Sequence, residues 1–120
     1  MHNLAASMSR VLEAEGALAA MLVDATTSLV YGYAGGTADL PDPYESADTV
    51  QSLVECLQEA TGDGGLESLI VTTARHYYLT HVVPRQRGDD LLLVSVADRA
   101  QTNLALADRA MSAQAAEVLA

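Results

Sequence analysis

Gly16-Ala17-Leu18-Ala19-Ala20-Met21-Leu22-Val23-Asp24 is the stretch on which the reading of the fold turns. From Ala17 to Val23 every position is apolar, on both alternating faces, whereas a strand with one solvated face would alternate. The segment therefore reads as a central strand covered on both sides. Upstream, Leu4, Met8, Val11 and Leu12 recur at helical spacing, which predicts a helix over residues 3–15 closed by Gly16. Downstream, Asp24-Ala25-Thr26-Thr27 reads as a tight turn and Ser28 to Ala34 as the antiparallel partner strand, with Gly32 marking a bulge or close backbone approach.

Further on, Gly35 to Leu40 is loop by composition. Asp42-Pro43-Tyr44-Glu45 then combines an N-cap acid, a proline at the first helical position and a glutamate one turn in, which predicts a second helix. Its expected buried stripe is Val50, Leu53, Val54 and Leu57; its polar face carries Asp48, Gln51, Ser52, Glu55, Gln58 and Glu59, and it stops at Gly62-Asp63-Gly64-Gly65. Leu66 to Thr73, Tyr77 to Pro84 and Asp90 to Ala97 read as a three-stranded antiparallel meander. Asp98 with Gln101 reads as the capping box of a third helix, whose stripe is Leu104, Ala107, Met111, Ala115 and Val118. The expected fold class is α+β, one domain over residues 1–120, with a five-stranded, mostly antiparallel sheet, helices on both faces and the order α-β-β-α-β-β-β-α.

Composition narrows the function. Folding a chain of 120 residues hides roughly 12,000 Å², enough for one core. Six arginines and no lysine stand against 16 acidic residues, a formal charge of −10, so nucleic acid and anionic membrane surfaces are expected to be repelled. Without lysine there is no Schiff base and no phosphate-binding lysine. The lone Cys56 cannot form an internal disulfide, and the first residues hold neither a basic segment nor a long apolar run, which points to the cytoplasm and to no membrane insertion.

Candidate chemistry is sparse. His76 and His81 have opposite parity on an extended segment and cannot share a metal without a bulge, and His2 is expected in a frayed terminus. Cys56, with Glu55 and Glu59 near it, reads as a small half-buried filler. Ser68, Thr72, Thr73 and Thr80 lie on strands outside any nucleophile elbow. The clusters Gly32 to Gly36 and Gly62 to Gly65 lack the ending of a phosphate loop and read as turns. Tyr77 and Tyr78 are explained by strand packing, and Arg75, Arg85 and Arg87, in hairpin connections, by solvation. No catalytic residue, metal or cofactor is expected.

The order of elements resembles the roadblock/dynein light chain family, longin-like domains whose bacterial members accompany Ras-like GTPases. Three segments carry the likeness: Gly16 to Asp24, Glu67 to Val71, and Asp89 to Val96 leading to Asn103-Leu104-Ala105-Leu106-Ala107. The chain departs from the family in its first hairpin, where Ala25-Thr26-Thr27 replaces an Asp/Asn-Gly turn, and in its longer Gly35 to Pro43 loop. The resemblance implies a homodimer whose sheets join edge to edge and whose second helices lie side by side, acting as scaffold or GTPase-activating partner. The Leu66 to Thr73 strand fits the first part, being an end strand with little edge charge after Glu67. Its Leu69, Ile70, Val71, Thr72 and Thr73 are the expected dimer interface, and Asp48, Gln51, Ser52, Glu55 and Glu59 the expected GTPase surface. The alternative is a small-molecule sensing domain of PAS or profilin-like type, which would need a pocket lined by convergent polar groups.

Overall fold

The computed structural model describes residues 4–118. The elements follow in the order α1 (Leu4–Val11), β1 (Ala17–Asp24), β2 (Val30–Gly35), α2 (Pro43–Thr61), β3 (Ser68–Thr72), β4 (His76–Val83), β5 (Leu91–Asp98) and α3 (Leu104–Glu117), with single 3-10 turns at Thr37–Asp39 and Arg99–Gln101. The strands form one sheet in the order β2-β1-β5-β4-β3, and each neighbouring pair is antiparallel. His2 lies outside the described residues.

β1 and β5 occupy the middle of the sheet, and their uninterrupted apolar runs are what that position demands. Alternate residues supply two separate cores. Ala20 and Leu22 of β1 join Leu91 and Leu93 of β5, Leu79 and Val83 of β4, Met8 and Val11 of α1, and Ala107, Met111 and Val118 from the α3 end. On the opposite face Met21 and Val23 join Leu92 and Val94 and pack against Ala47 and Val50 of α2. Two helices thus cover one face and a single helix the other.

Local chemistry sets the boundaries. α1 is shorter than its apolar spacing predicts: past Val11 the chain tightens into i→i+3 turns, with Leu12 N–H donating to Ser9 and Glu13 N–H to Arg10. Gly16 (φ 87°) then bends the backbone into β1, and a Cβ there would run into Thr102 Oγ1 and the Gln101 backbone. The irregularity expected near Gly32 is present, because β2 bulges where Leu22 pairs with Gly32 and Val23 with Val30. β2 starts at Val30 and runs on through Gly35, two residues later than expected at its start and one at its end. Asp42 Oδ1 accepts from Tyr44 and Glu45 N–H at 2.8 and 3.2 Å, and left-handed Gly62 closes α2 by donating to the Gln58 carbonyl. The expected start of the last helix is corrected. Asp98 caps only the 3-10 turn, through Ala100 N–H, and Asn103 is the true cap, accepting from Leu106 N–H at 3.2 Å.

α2 is also rotated from the expected stripe. Its buried residues are Ala47 and Val50, with Val54 packed beside them, while Leu53 and Leu57 are half-buried and belong to neither core. A 19-residue helix about 28 Å long is thus anchored through a narrow line of small side chains.

Candidate functional site

Two surfaces meet along α2. The helix turns Asp48, Gln51, Ser52, Glu55 and Glu59 to solvent, all exposed, on a continuous outer face at spacings of three and four residues. No cation balances these acids, since the described ion pairs all lie elsewhere in the molecule. Cys56, expected half-buried, is exposed on this helix, because the rotation that sinks Ala47 and Val50 lifts it clear of the sheet.

The flank of α2 that continues from Ser46 and Thr49 looks toward β3 across an open, mainly apolar cavity of about 230 Å³, lined also by Leu69, Val71, Tyr78 and Thr80. Leu53 and Leu57 follow one and two turns on along this flank. β3 lies at the sheet edge with one side unpaired. Its Ile70 and Val71 are 38% and 42% exposed, Thr72 and Thr73 are exposed and Leu69 is half-buried. Glu67 C=O accepts from Val82 N–H and Thr73 N–H donates to His76 C=O, both at 2.9 Å. Given the register Ser68 to His81 through Thr72 to Tyr77, odd-numbered residues of β3 bond to β4, while Ser68, Ile70 and Thr72 turn their N–H and C=O groups outward.

The remaining candidates resolve into structural roles. The β4 histidines do take opposite faces: His81 meets Asp108 of α3 at 2.8 Å, and the ring of His76 lies 5.8 Å from that of Tyr78. Among the described residues no three His, Cys, Asp or Glu side chains converge as a metal site. Ser68 stands opposite His81 in the ladder, yet no hydrogen bond joins them and the imidazole is committed to Asp108. The second glycine cluster spends its donors internally, Gly64 N–H on Gln58 Oε1 and Gly65 N–H on Asp63 Oδ1. No described helix is long and apolar enough to cross a membrane.

One group escapes the sequence reading. Arg85 is not simply solvated: its Nη2 donates to Asp24 Oδ2 at 3.3 Å, its Nε to the Asp89 carbonyl, and its guanidinium lies 5.7 Å from the centre of the Tyr31 ring. Asp24 Oδ1 meanwhile accepts from Thr26 and Thr27 N–H at 2.8 and 3.0 Å. These bonds, the one from Thr27 foremost, hold its carboxyl below the ordinary value of 3.8 against the opposing effect of burial. Ser28 takes the left-handed conformation (φ 66°) that a glycine would supply in an Asp-Gly turn. The Asp24 carboxylate, reaching forward over the turn, braces it through Thr26 and Thr27 N–H while Ser28 holds that conformation. Only the position of Asp24 just before Thr26-Thr27 hints at this in the sequence.

No protein-family profile matches the sequence, and no match is found among curated proteins. Solved structures do match. Myxococcus xanthus MglB superposes with a TM-score of 0.79 at 20% identity, covering 94% of this chain and 89% of that one. The Roadblock/LC7 domain from Streptomyces avermitilis gives 0.73 at 19% identity, over 98% and 95% of the two chains. The gliding protein MglB from Thermus thermophilus gives 0.63 at 19% identity, over 95% and 89%. The fold of this chain, five antiparallel strands between one helix and two, is that of the roadblock domain.

Proposed function

We propose that this chain is a non-catalytic, cytoplasmic, homodimeric regulator or scaffold that binds a small Ras-like GTPase. The observation that carries the reading is a single junction. The unpaired β3 edge and the cavity beside it adjoin the flank of α2 along which helical spacing places the half-buried Leu53 and Leu57, on a roadblock fold. A second copy laid against that flank would extend the sheet through Leu69 to Thr73 and bring the two α2 helices together. Asp48, Gln51, Ser52, Glu55 and Glu59, three of them acidic, would then form one joint surface, the place for the GTPase. Kinship of fold with MglB supports the class of partner. Stimulation of GTP hydrolysis, if present, would come from positioning the GTPase's own groups. The sensor alternative has less behind it, because the cavities among the described residues are clefts open to solvent, and the one between α2 and β3 is mainly apolar.

Two measurements test this. Sedimentation at micromolar concentration is expected to show a dimer, and a species near 12.6 kDa would remove that part of the proposal. Titration against purified Ras-like GTPases, loaded separately with GDP and GTP, is expected to give binding that weakens as salt rises. Absence of binding in both nucleotide states would end the regulator reading.

A further inference from the structure

We infer that opposite charges at the two ends of the β3 edge, Glu67 at its start and Arg75 beyond its end, form a symmetric clamp that sets the direction and register of pairing with a second copy. The inference rests on the homodimer proposed above and adds what determines its geometry.

Glu67 is exposed just before β3 and makes no ion pair among the described residues; Arg75 is exposed in the turn after it and is likewise unpaired. The charge at each end is reinforced. Asp63 adds a carboxylate on the acidic side, at the turn that leads into the strand. On the basic side the guanidinium of Arg99 donates to the Thr73 carbonyl at 3.0 Å, and Arg99 N–H donates to the Arg75 carbonyl. Arg75 and Arg99 thus meet where β3 turns into β4, with Arg99 reaching in from the β5 side and Asp98 lining the same cleft.

The outward hydrogen-bonding groups fix what a second strand would meet. Only Ser68, Ile70 and Thr72 offer N–H and C=O groups to the edge. An antiparallel twofold centred on Ile70 uses all of them, pairing Ser68 with the partner's Thr72 and Ile70 with the partner's Ile70. A centre at Leu69 or Val71 leaves one end of the strand without a β partner. The Ile70-centred register sets Thr73 opposite the partner's Glu67, with Arg75 two residues further on in the turn. Twofold symmetry repeats the contact at the other end. Parallel pairing would instead bring Glu67 to the partner's Glu67 and Arg75 to the partner's Arg75, which is repulsive at both ends.

The experiment is a charge swap read by sedimentation and by dilution of fluorescently labelled protein. Glu67→Arg and Arg75→Glu each turn two symmetric attractions into repulsions and are expected to weaken the homodimer about tenfold to a hundredfold. An equimolar mixture of the two variants should form heterodimers near wild-type affinity, because each end then pairs arginine with glutamate. The double variant should likewise recover homodimerisation. At 1 M salt, where the Debye length falls to about 3 Å, the differences should largely vanish. Unchanged dimerisation in both single variants, or mixtures and double variants that fail to recover, would overturn the clamp while leaving the dimer in place. A monomeric wild-type protein would overturn the dimer and the clamp with it.

Discussion

Ile70 and Val71 are adjacent, apolar and about equally exposed, yet replacing each by proline is expected to break different things. The ladder assigns the Val71 N–H to β4 and leaves the Ile70 N–H facing outward. Val71→Pro removes a bond of the monomer and strands the opposing carbonyl in Tyr78, a cost of about 3 to 5 kcal/mol, a large share of a small domain's stability. Ile70→Pro removes an N–H that the monomer does not use, so the monomer loses only the side-chain packing of a residue 38% exposed, about 1 kcal/mol. In the dimer the same ring deletes both bonds of the central pair, about 2 kcal/mol or roughly thirtyfold in affinity, before any clash between the two rings. Urea denaturation at low protein concentration reads the first effect and sedimentation across a concentration series the second. The reasoning is refuted if Ile70→Pro unfolds while Val71→Pro does not, which would shift the register by one residue, or if folded Ile70→Pro remains fully dimeric.

Leu22→Ala, at a fully buried site, should cost about 2 to 5 kcal/mol in urea denaturation, against about 1 for half-buried Leu53→Ala and within about 0.5 for exposed Gln51→Ala. Equal losses at Leu22 and Leu53 would place Leu53 in the core after all. Asp24, with its carboxyl held below 3.8, contributes stability that is present above that value and lost as pH falls through the lowered one. Asp24→Asn should therefore be less stable than wild type at pH 7, with the gap closing below about pH 4 in denaturation midpoints; a gap constant with pH would assign its cause to something other than the carboxylate's charge. Charge reversal at Glu55 and Glu59 together should slow association with a GTPase in stopped-flow measurements while the dimer persists, and an unaltered association rate would move the docking surface off the outer face of α2.

β1 is legible in the sequence as a central strand because a position covered on both faces leaves a mark in every residue; the run of β5 marks a strand, but its place beside β1 is set by long-range pairing. β1 and β5 lie within one residue of their expected limits. The start of α2 is legible for a similar reason, since Asp42 and Pro43 act locally on the backbone they cap. Errors arise where tertiary contact chooses between local options. Asp98 and Asn103 are both acceptable caps, and the 3-10 turn between them decides in favour of Asn103. Helical spacing marked Val50, Leu53, Val54 and Leu57 as one stripe, but spacing is silent on how wide a footprint the sheet offers. Here it takes Val50 and Val54 with Ala47, leaving the two leucines half-buried on the flank that continues from Ser46 and Thr49. The same rotation exposes Cys56. The role of Arg85 leaves no local mark, because its partner Asp24 lies 61 residues away in sequence. The candidate surfaces themselves, the outer face of α2 and the β3 edge, were legible as polar spacing and as the end of a meander.

The placement of β5 beside β1 has a consequence for how the chain comes into being. Leu22 pairs with Leu93 and Met21 with Val94, so the middle of the sheet joins the first strand made to the last. On a ribosome, β1 is finished long before its principal neighbour exists, and the edge that β5 will pair must wait open while β2, α2, β3 and β4 are made. Such long-range closure slows folding, because the entropy of a large loop is lost before the central pairs form. A nascent chain halted before Leu91 should therefore be sensitive to protease throughout, with no smaller stable sheet to fall back on, and protection should arrive in one step when β5 is released.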